Sequence, residues 1–225
     1  MMKKSDKLQI LFALTIAYFF IAIVEIIAEF NIDFSLIFST KPLLMPVLIA
    51  IYYIASRKKN ILFITALIFN CAANILFIFQ DSGTLFLGNI ILVFSKLFVL
   101  FVVLKLINLK NVMPILLGIL PFLSLYIFII NMTIDELGDG IYLFILQSLL
   151  VTIYGGVALG SYMLRPNKAN TFLLISSILF AFSQFTFVLR LFYLDTTIFQ
   201  PIAMLLFVIG MYLLTRFILI MEKKY

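Results

Sequence analysis

Apolar residues fill this chain in eight blocks, separated by short clusters of polar and charged positions. The blocks run over about 8–30, 43–56, 61–79, 85–106, 112–131, 141–164, 171–194 and 201–221. A membrane-spanning helix needs about 20 predominantly apolar residues, and every block but the second is long enough. The pattern predicts an all-α, polytopic membrane bundle of about eight helices, with residues 1–225 as a single integral membrane domain. The second block reaches full length only if Lys41 and Pro42 sit at the interface. Pro42 would then occupy the first helical turn, where its missing N–H is tolerated. Short connections predict that successive helices are antiparallel neighbours. The first block follows a basic start, as a signal peptide would. It is longer than the about 7–15 residues of a cleaved apolar region, and is expected to be retained.

Composition agrees with this reading. The sequence is 65% hydrophobic and 12% charged, where soluble domains carry about 25% charged residues. A water-soluble globule could not cover so much apolar surface with so few polar groups. There is no histidine and one cysteine, Cys71. Histidine-ligated metal sites, histidine acid–base chemistry and an intrachain disulfide are therefore excluded, and no metal or cofactor is expected.

Charge adds an orientation. Lys3, Lys4, Lys7, Arg57, Lys58, Lys59, Lys105, Lys110, Arg165, Lys168, Arg216, Lys223 and Lys224 fall at one end of the eight blocks. Asp33, Asp81, Asp135, Glu136, Asp139 and Asp195 fall at the other, with Lys41 as the cation there. Basic loops stay inside, which predicts cytoplasmic N- and C-termini; the expected location is the bacterial cytoplasmic (inner) membrane. The formal charge of +6 is then a topology signal. It is too dispersed for a nucleic-acid surface, and no nucleic-acid partner is expected.

Polar residues at membrane depth are costly and each needs a reason. They are Glu25, Glu29, Asn70, Asn74, Lys96, Gln147, Gln184 and Arg190. At a rise of about 1.5 Å per residue, Asn74 and Gln184 lie at about the same height, and Lys96 is about 15 Å in from the outer end. These positions predict a polar pocket in the outer half of the bundle, shared by Asn74, Lys96 and Gln184. Two readings stand for the amides, interhelical hydrogen bonding or lining of a pocket. Lys96 is too deep to snorkel fully, so it should pair with a carboxylate or a carbonyl, or border water; Glu25 is its best-placed partner, in a structural ion pair, and ligand contact is the other reading. Arg190 and Glu29 read as interface anchors. Gly155, Gly156 and Gly160 read as a close-packing face.

Three segments resemble the YhhN family of lysoplasmalogenase-like membrane proteins. Thr40-Lys41-Pro42-Leu43-Leu44-Met45-Pro46 resembles the family's TKPLLMP, with Glu29 at a commonly acidic position upstream. Residues 66–76, carrying Asn70 and Asn74, resemble ALLFSLLGDxLL. Residues 178–192, carrying Ser183 and Gln184, resemble LLFxxSDxxLAxxxF. The resemblance implies eight spans and hydrolysis of the vinyl-ether bond of lysoplasmalogens by two intramembrane aspartates. Such chemistry needs one carboxyl to protonate carbon and another to handle water. Here the aspartate positions hold Asn74 and Gln184, a usual histidine aligns with Lys96, and an expected glutamine falls near Met211. Amides hydrogen-bond but do not exchange protons near neutral pH.

Three functions follow as alternatives. One is a lysoplasmalogenase-like hydrolase, with Glu25 as a substitute acid. The second is a catalytically silent relative that binds a membrane lipid such as a lysophospholipid. In it Lys41, Lys96 or Arg190 would contact the headgroup, and Asn74 and Gln184 the glycerol oxygens. The third is a small transporter, for which Pro114 and Pro121 are weak support.

Overall fold

The computed structural model describes residues 4–79, 81–107, 112–133, 141–192 and 198–223. It comprises α1 (Lys4–Asn31), α2 (Phe34–Ala55), α3 (Ile61–Phe79), α4 (Ser82–Leu106), α5 (Met113–Thr133), α6 (Ile141–Leu164), α7 (Lys168–Phe192) and α8 (Phe199–Glu222). All eight are long and apolar enough to cross a membrane. Lys3, Lys110, Asp135, Glu136, Asp139, Asp195 and Lys224 of the charge pattern, and the end of the seventh block at 193–194, lie outside the described residues.

The outer surface is what a bilayer requires. On α1, Leu8, Phe12, Ile16, Phe20, Ile23, Ile27 and Phe30 are all exposed. Their spacing of three or four keeps them on one helix face. At about 1.5 Å per residue the stripe is about 33 Å long, matching a hydrocarbon core of about 30 Å. Tyr18, Ala22, Glu25, Ala28 and Glu29 of the same helix are buried.

The helix ends correct the expected second span. Ile32 adopts φ 55°. The Ile32 amide donates to the Glu29 carbonyl at 3.4 Å and the Asp33 amide to the Ala28 carbonyl at 2.9 Å. These bonds close α1 as a Schellman motif. Asp33 at once caps α2, its carboxylate accepting from the amides of Ser35 (3.0 Å) and Leu36 (3.1 Å). The chain therefore re-enters a helix at Phe34 rather than near residue 43. Lys41 is 4% exposed and lies two turns inside α2, and Pro42 is not in the first turn. Pro46 removes the N–H that would bond the Pro42 carbonyl; the Cys71 thiol of α3 donates to that oxygen instead, at 3.7 Å.

α1, α2, α3, α4, α6, α7 and α8 form a closed ring, each packed on the next and α8 returning to α1. α5 lies outside it, packed on α6 and lightly on α7. The expectation that successive helices are neighbours thus fails for α4 and α5, because α4 packs instead on α6. The glycines explain where α5 goes. A Cβ on Gly160 would lie 2.7 Å from the Ile115 backbone, and one on Gly118 would lie 2.7 Å from the Gly156 carbonyl oxygen. Only small residues permit this approach, so the glycine face of α6 is a packing face.

Candidate ligand-binding site

The ring encloses a cavity of about 380 Å³, within the size range of small-molecule sites. Its wall includes Lys41 from α2, Asn70 and Asn74 from α3, Lys96 from α4, Gln147 from α6, Gln184 and Arg190 from α7, and Gln200 from α8. Leu92, Phe180, Phe187, Met204, Phe207 and Met211 give it an apolar remainder. Lys41, Asn74, Lys96, Gln184 and Arg190, drawn from four helices, therefore meet at one site. Gln200 and Asn89, which also line it, carry no signal in the hydropathy pattern. Gln200 falls just before the last apolar block, and Asn89 is one polar residue near a helix start.

Lys96 defines the polar floor. Its ammonium donates to the Gln147 carboxamide oxygen at 2.9 Å and to the Gln184 carboxamide oxygen at 3.0 Å. Both amides are held in that orientation. Gln147 Nε2 donates to Asn89 Oδ1 at 2.9 Å and to the Asn89 carbonyl at 3.2 Å. Gln184 Nε2 faces Ser148 Oγ at 3.4 Å, and the Tyr126 hydroxyl of α5 donates to Gln184 Oε1 at 3.4 Å. The expected pairing of Lys96 with Glu25 is not formed. α1 packs on α2 and α8 rather than α4, which leaves the Glu25 carboxylate outside the cavity wall.

Glu25 and Glu29 instead hold Lys41. Lys41 Nζ donates to Glu29 Oε1 at 2.5 Å and stands 3.8 Å from Glu25 Oε1. The Thr40 hydroxyl donates to Glu25 Oε2. Glu25 is fully buried and Glu29 is 5% exposed, so Glu29 is not an interface anchor. Nor is Arg190, which lines the cavity and donates to Gln200 Oε1 at 2.6 Å. Gln200 in turn donates to Glu29 Oε1 at 3.4 Å. The result is a chain of polar contacts from Arg190 through Gln200 and Glu29 to Lys41. Neither glutamate is part of the cavity wall.

Helix α3 contributes two amides with spare capacity. Asn70 Nδ2 donates to Ser95 Oγ of α4 and to the Ala66 carbonyl at 3.3 Å. Asn70 Oδ1 and Asn74 Nδ2 are buried with no partner among the described residues. A buried unpaired polar atom costs about 1–3 kcal/mol, so both are groups that a bound molecule can satisfy.

Comparison with protein-family models, with curated proteins and with solved structures finds no match.

Proposed function

We propose that this chain is a YhhN-like membrane protein that binds a single-chain amphiphile, such as a lysophospholipid, without hydrolysing it. One observation carries the reading. The two positions that the resemblance marks as acidic, Asn74 and Gln184, line one cavity with Lys41 of the resembling segment, with Lys96 at the usual histidine and with Met211 near the expected glutamine, and these five come from five different helices. A cavity with polar groups on one part and phenylalanine, leucine and methionine on the rest suits a ligand with a polar head and one apolar chain.

Hydrolysis of a vinyl ether needs a proton donor at the substrate. Among the described residues the cavity wall contains no aspartate or glutamate, and Glu25 stands behind it, held by Thr40 and Lys41. A silent relative fits this arrangement better than an enzyme with a relocated acid. The charge pattern supports cytoplasmic termini in a bacterial cytoplasmic membrane, with the cavity nearer the outer ends of the helices. A cysteine introduced at Lys58, in a Cys71→Ser background, should then react with impermeant thiol reagents only after the membrane is opened.

The functional test uses the purified full-length protein. It should bind an oleoyl lysophospholipid in a saturable way and release no aldehyde from the vinyl-ether analogue. Failure to bind any lysolipid rejects the reading; aldehyde release that is lost in Glu25→Gln replaces it with the hydrolase.

A further inference from the structure

Lysophospholipids differ in net charge, and the cavity wall is not neutral towards that difference. Among the described residues it contains three cations, Lys41, Lys96 and Arg190, and no carboxylate. The three are not equivalent. Lys41 has its counter-charges in Glu29 and Glu25. Arg190 rests on the neutral Gln200. Lys96 is held by two carboxamide oxygens, and no carboxylate among the described residues lies within 4.0 Å of it or of Arg190. Amide oxygens accept hydrogen bonds but bring no negative charge. An ammonium has three donors, and the two amides use two.

An unmatched cation at membrane depth is costly. A ligand oxyanion removes that cost by supplying both the charge and the third acceptor. A zwitterionic headgroup brings an ammonium as well, and no carboxylate among the described residues of the wall stands to receive it. Aromatic rings can hold a quaternary ammonium when they surround it. Here they pack on one another, Phe77 with Phe187 at 6.3 Å and Phe180 with Phe207 at 6.4 Å, and serve the apolar chain.

We propose that the cavity takes single-chain amphiphiles of net negative charge in preference to zwitterionic ones, with the oxyanion seated on Lys96. The proposal rests on the amphiphile-binding reading above and adds the charge class of the ligand and its anchor. Lys96 is about 21 Å along α4 from Ser82, so the oxyanion sits near the middle of the bundle. Asn74, on the same wall, offers its unpaired Nδ2 to a second ligand oxygen after rotation of the carboxamide.

The test titrates the full-length protein in nonionic detergent with three probes: oleoyl lysophosphatidylglycerol, oleoyl lysophosphatidylcholine and oleate. The lysophosphatidylglycerol should bind about 10–100-fold more tightly than the lysophosphatidylcholine, the equivalent of one charge-assisted hydrogen bond. Lys96→Gln should remove most of that preference, and Lys96→Arg should keep it. Oleate binding as tightly as lysophosphatidylglycerol supports the proposal with a free carboxylate as sufficient; oleate binding weakly supports it with the phosphate as the required anion. Equal or tighter binding of lysophosphatidylcholine overturns the charge preference and leaves amphiphile binding standing. Retention of the preference in a folded Lys96→Gln variant overturns Lys96 as the anchor. If none of the three probes binds, both readings fall together. The comparison of probes on the unmodified protein decides the charge preference even where Lys96→Gln does not fold, and Lys96→Arg then reports on the anchor.

Discussion

The Lys96 ammonium on α4 and the Gln184 carboxamide on α7 face each other at 3.0 Å, with the amide oxygen turned to the cation. The carboxamide that stands at 184 in place of an aspartate is therefore also what leaves Lys96 without a counter-charge among the described residues. Gln184→Glu keeps the side-chain length and adds that charge. The variant should raise the thermal midpoint in detergent, by an amount equivalent to about 1–3 kcal/mol for a charge-assisted hydrogen bond. It should also weaken lysophosphatidylglycerol binding about tenfold or more. A lowered midpoint together with unchanged binding would show that Lys96 is already neutralised.

The same contact limits any attempt to restore hydrolysis. Asn74→Asp with Gln184→Asp returns both carboxyl groups to the positions that the resemblance marks as acidic. Yet the new carboxylate at 184 would meet Lys96 and be held as its ion partner, which stabilises the charged form and removes a proton donor. The double variant should therefore release little aldehyde from a lysoplasmalogen. Adding Lys96→His, the residue that the resemblance places there, should raise the rate about 10²-fold or more, the usual contribution of one general acid or base. A double variant as active as the triple would show that Lys96 does not suppress the acid.

Gly160 tests the packing of α5. Its missing Cβ leaves room for the Ile115 and Pro114 backbone at 2.7–2.8 Å, and backbone atoms cannot move aside as a side chain can. Gly160→Ala should destabilise the protein by about 1–3 kcal/mol, the cost of overpacking. Gly83→Ala is the control, since its Cβ would meet only the Asp81 side chain, at 3.4 Å. An equal effect at both positions, measured by thermal unfolding, would count against close packing at the α5–α6 seam.

Much of the fold is legible in the sequence because lipid simplifies the problem. A spanning helix declares itself by length and hydropathy alone, so most of the eight blocks coincide with helices to within a few residues. The second failed for a local reason. Ser35, Ser39, Thr40 and Lys41 look like loop residues, but inside α2 the Ser39 hydroxyl donates to the Ser35 carbonyl and the Thr40 hydroxyl to Glu25 of α1, which satisfies their polarity within the bundle. Lys41 is similarly hidden by Glu29. Depth along each helix was readable from residue counts, which is why Asn74, Lys96 and Gln184 converge. Rotation around the ring was not, because hydropathy does not say which helices touch. The Lys96–Glu25 pairing failed on that point, as did the packing order of α4 and α5.

Ile32 carries a backbone cost that one substitution can remove. Its φ of 55° is left-handed, which disfavours a β-branched residue by about 1–2 kcal/mol. Its side chain is 53% exposed, so little packing is lost with it. Ile32→Gly should stabilise the protein by about 0.5–1 kcal/mol, the difference reflecting the greater freedom of glycine in the unfolded chain. Thermal unfolding in detergent checks this, and a fall in midpoint would mean that the Ile32 side chain anchors the α1–α2 corner.

The contact between Cys71 and the Pro42 carbonyl makes a separate prediction about the helix pair that carries Lys41 and Asn74. Pro46 leaves the Pro42 oxygen without its helical donor, and the Cys71 thiol supplies one at 3.7 Å. Proline in a membrane helix is tolerated where a neighbouring helix re-satisfies the freed carbonyl. Cys71→Ala removes the donor and should cost about 1 kcal/mol, the order of one intramolecular hydrogen bond. Cys71→Ser keeps a hydroxyl that can reach the same oxygen and should cost less. Pro46→Ala restores the N–H of α2 and so should make Cys71→Ala nearly neutral in its background. The double-mutant cycle on Cys71 and Pro46 therefore isolates the contact. A Cys71→Ala cost that is the same with proline or alanine at 46 would mean that the thiol contributes by packing rather than by its bond to Pro42.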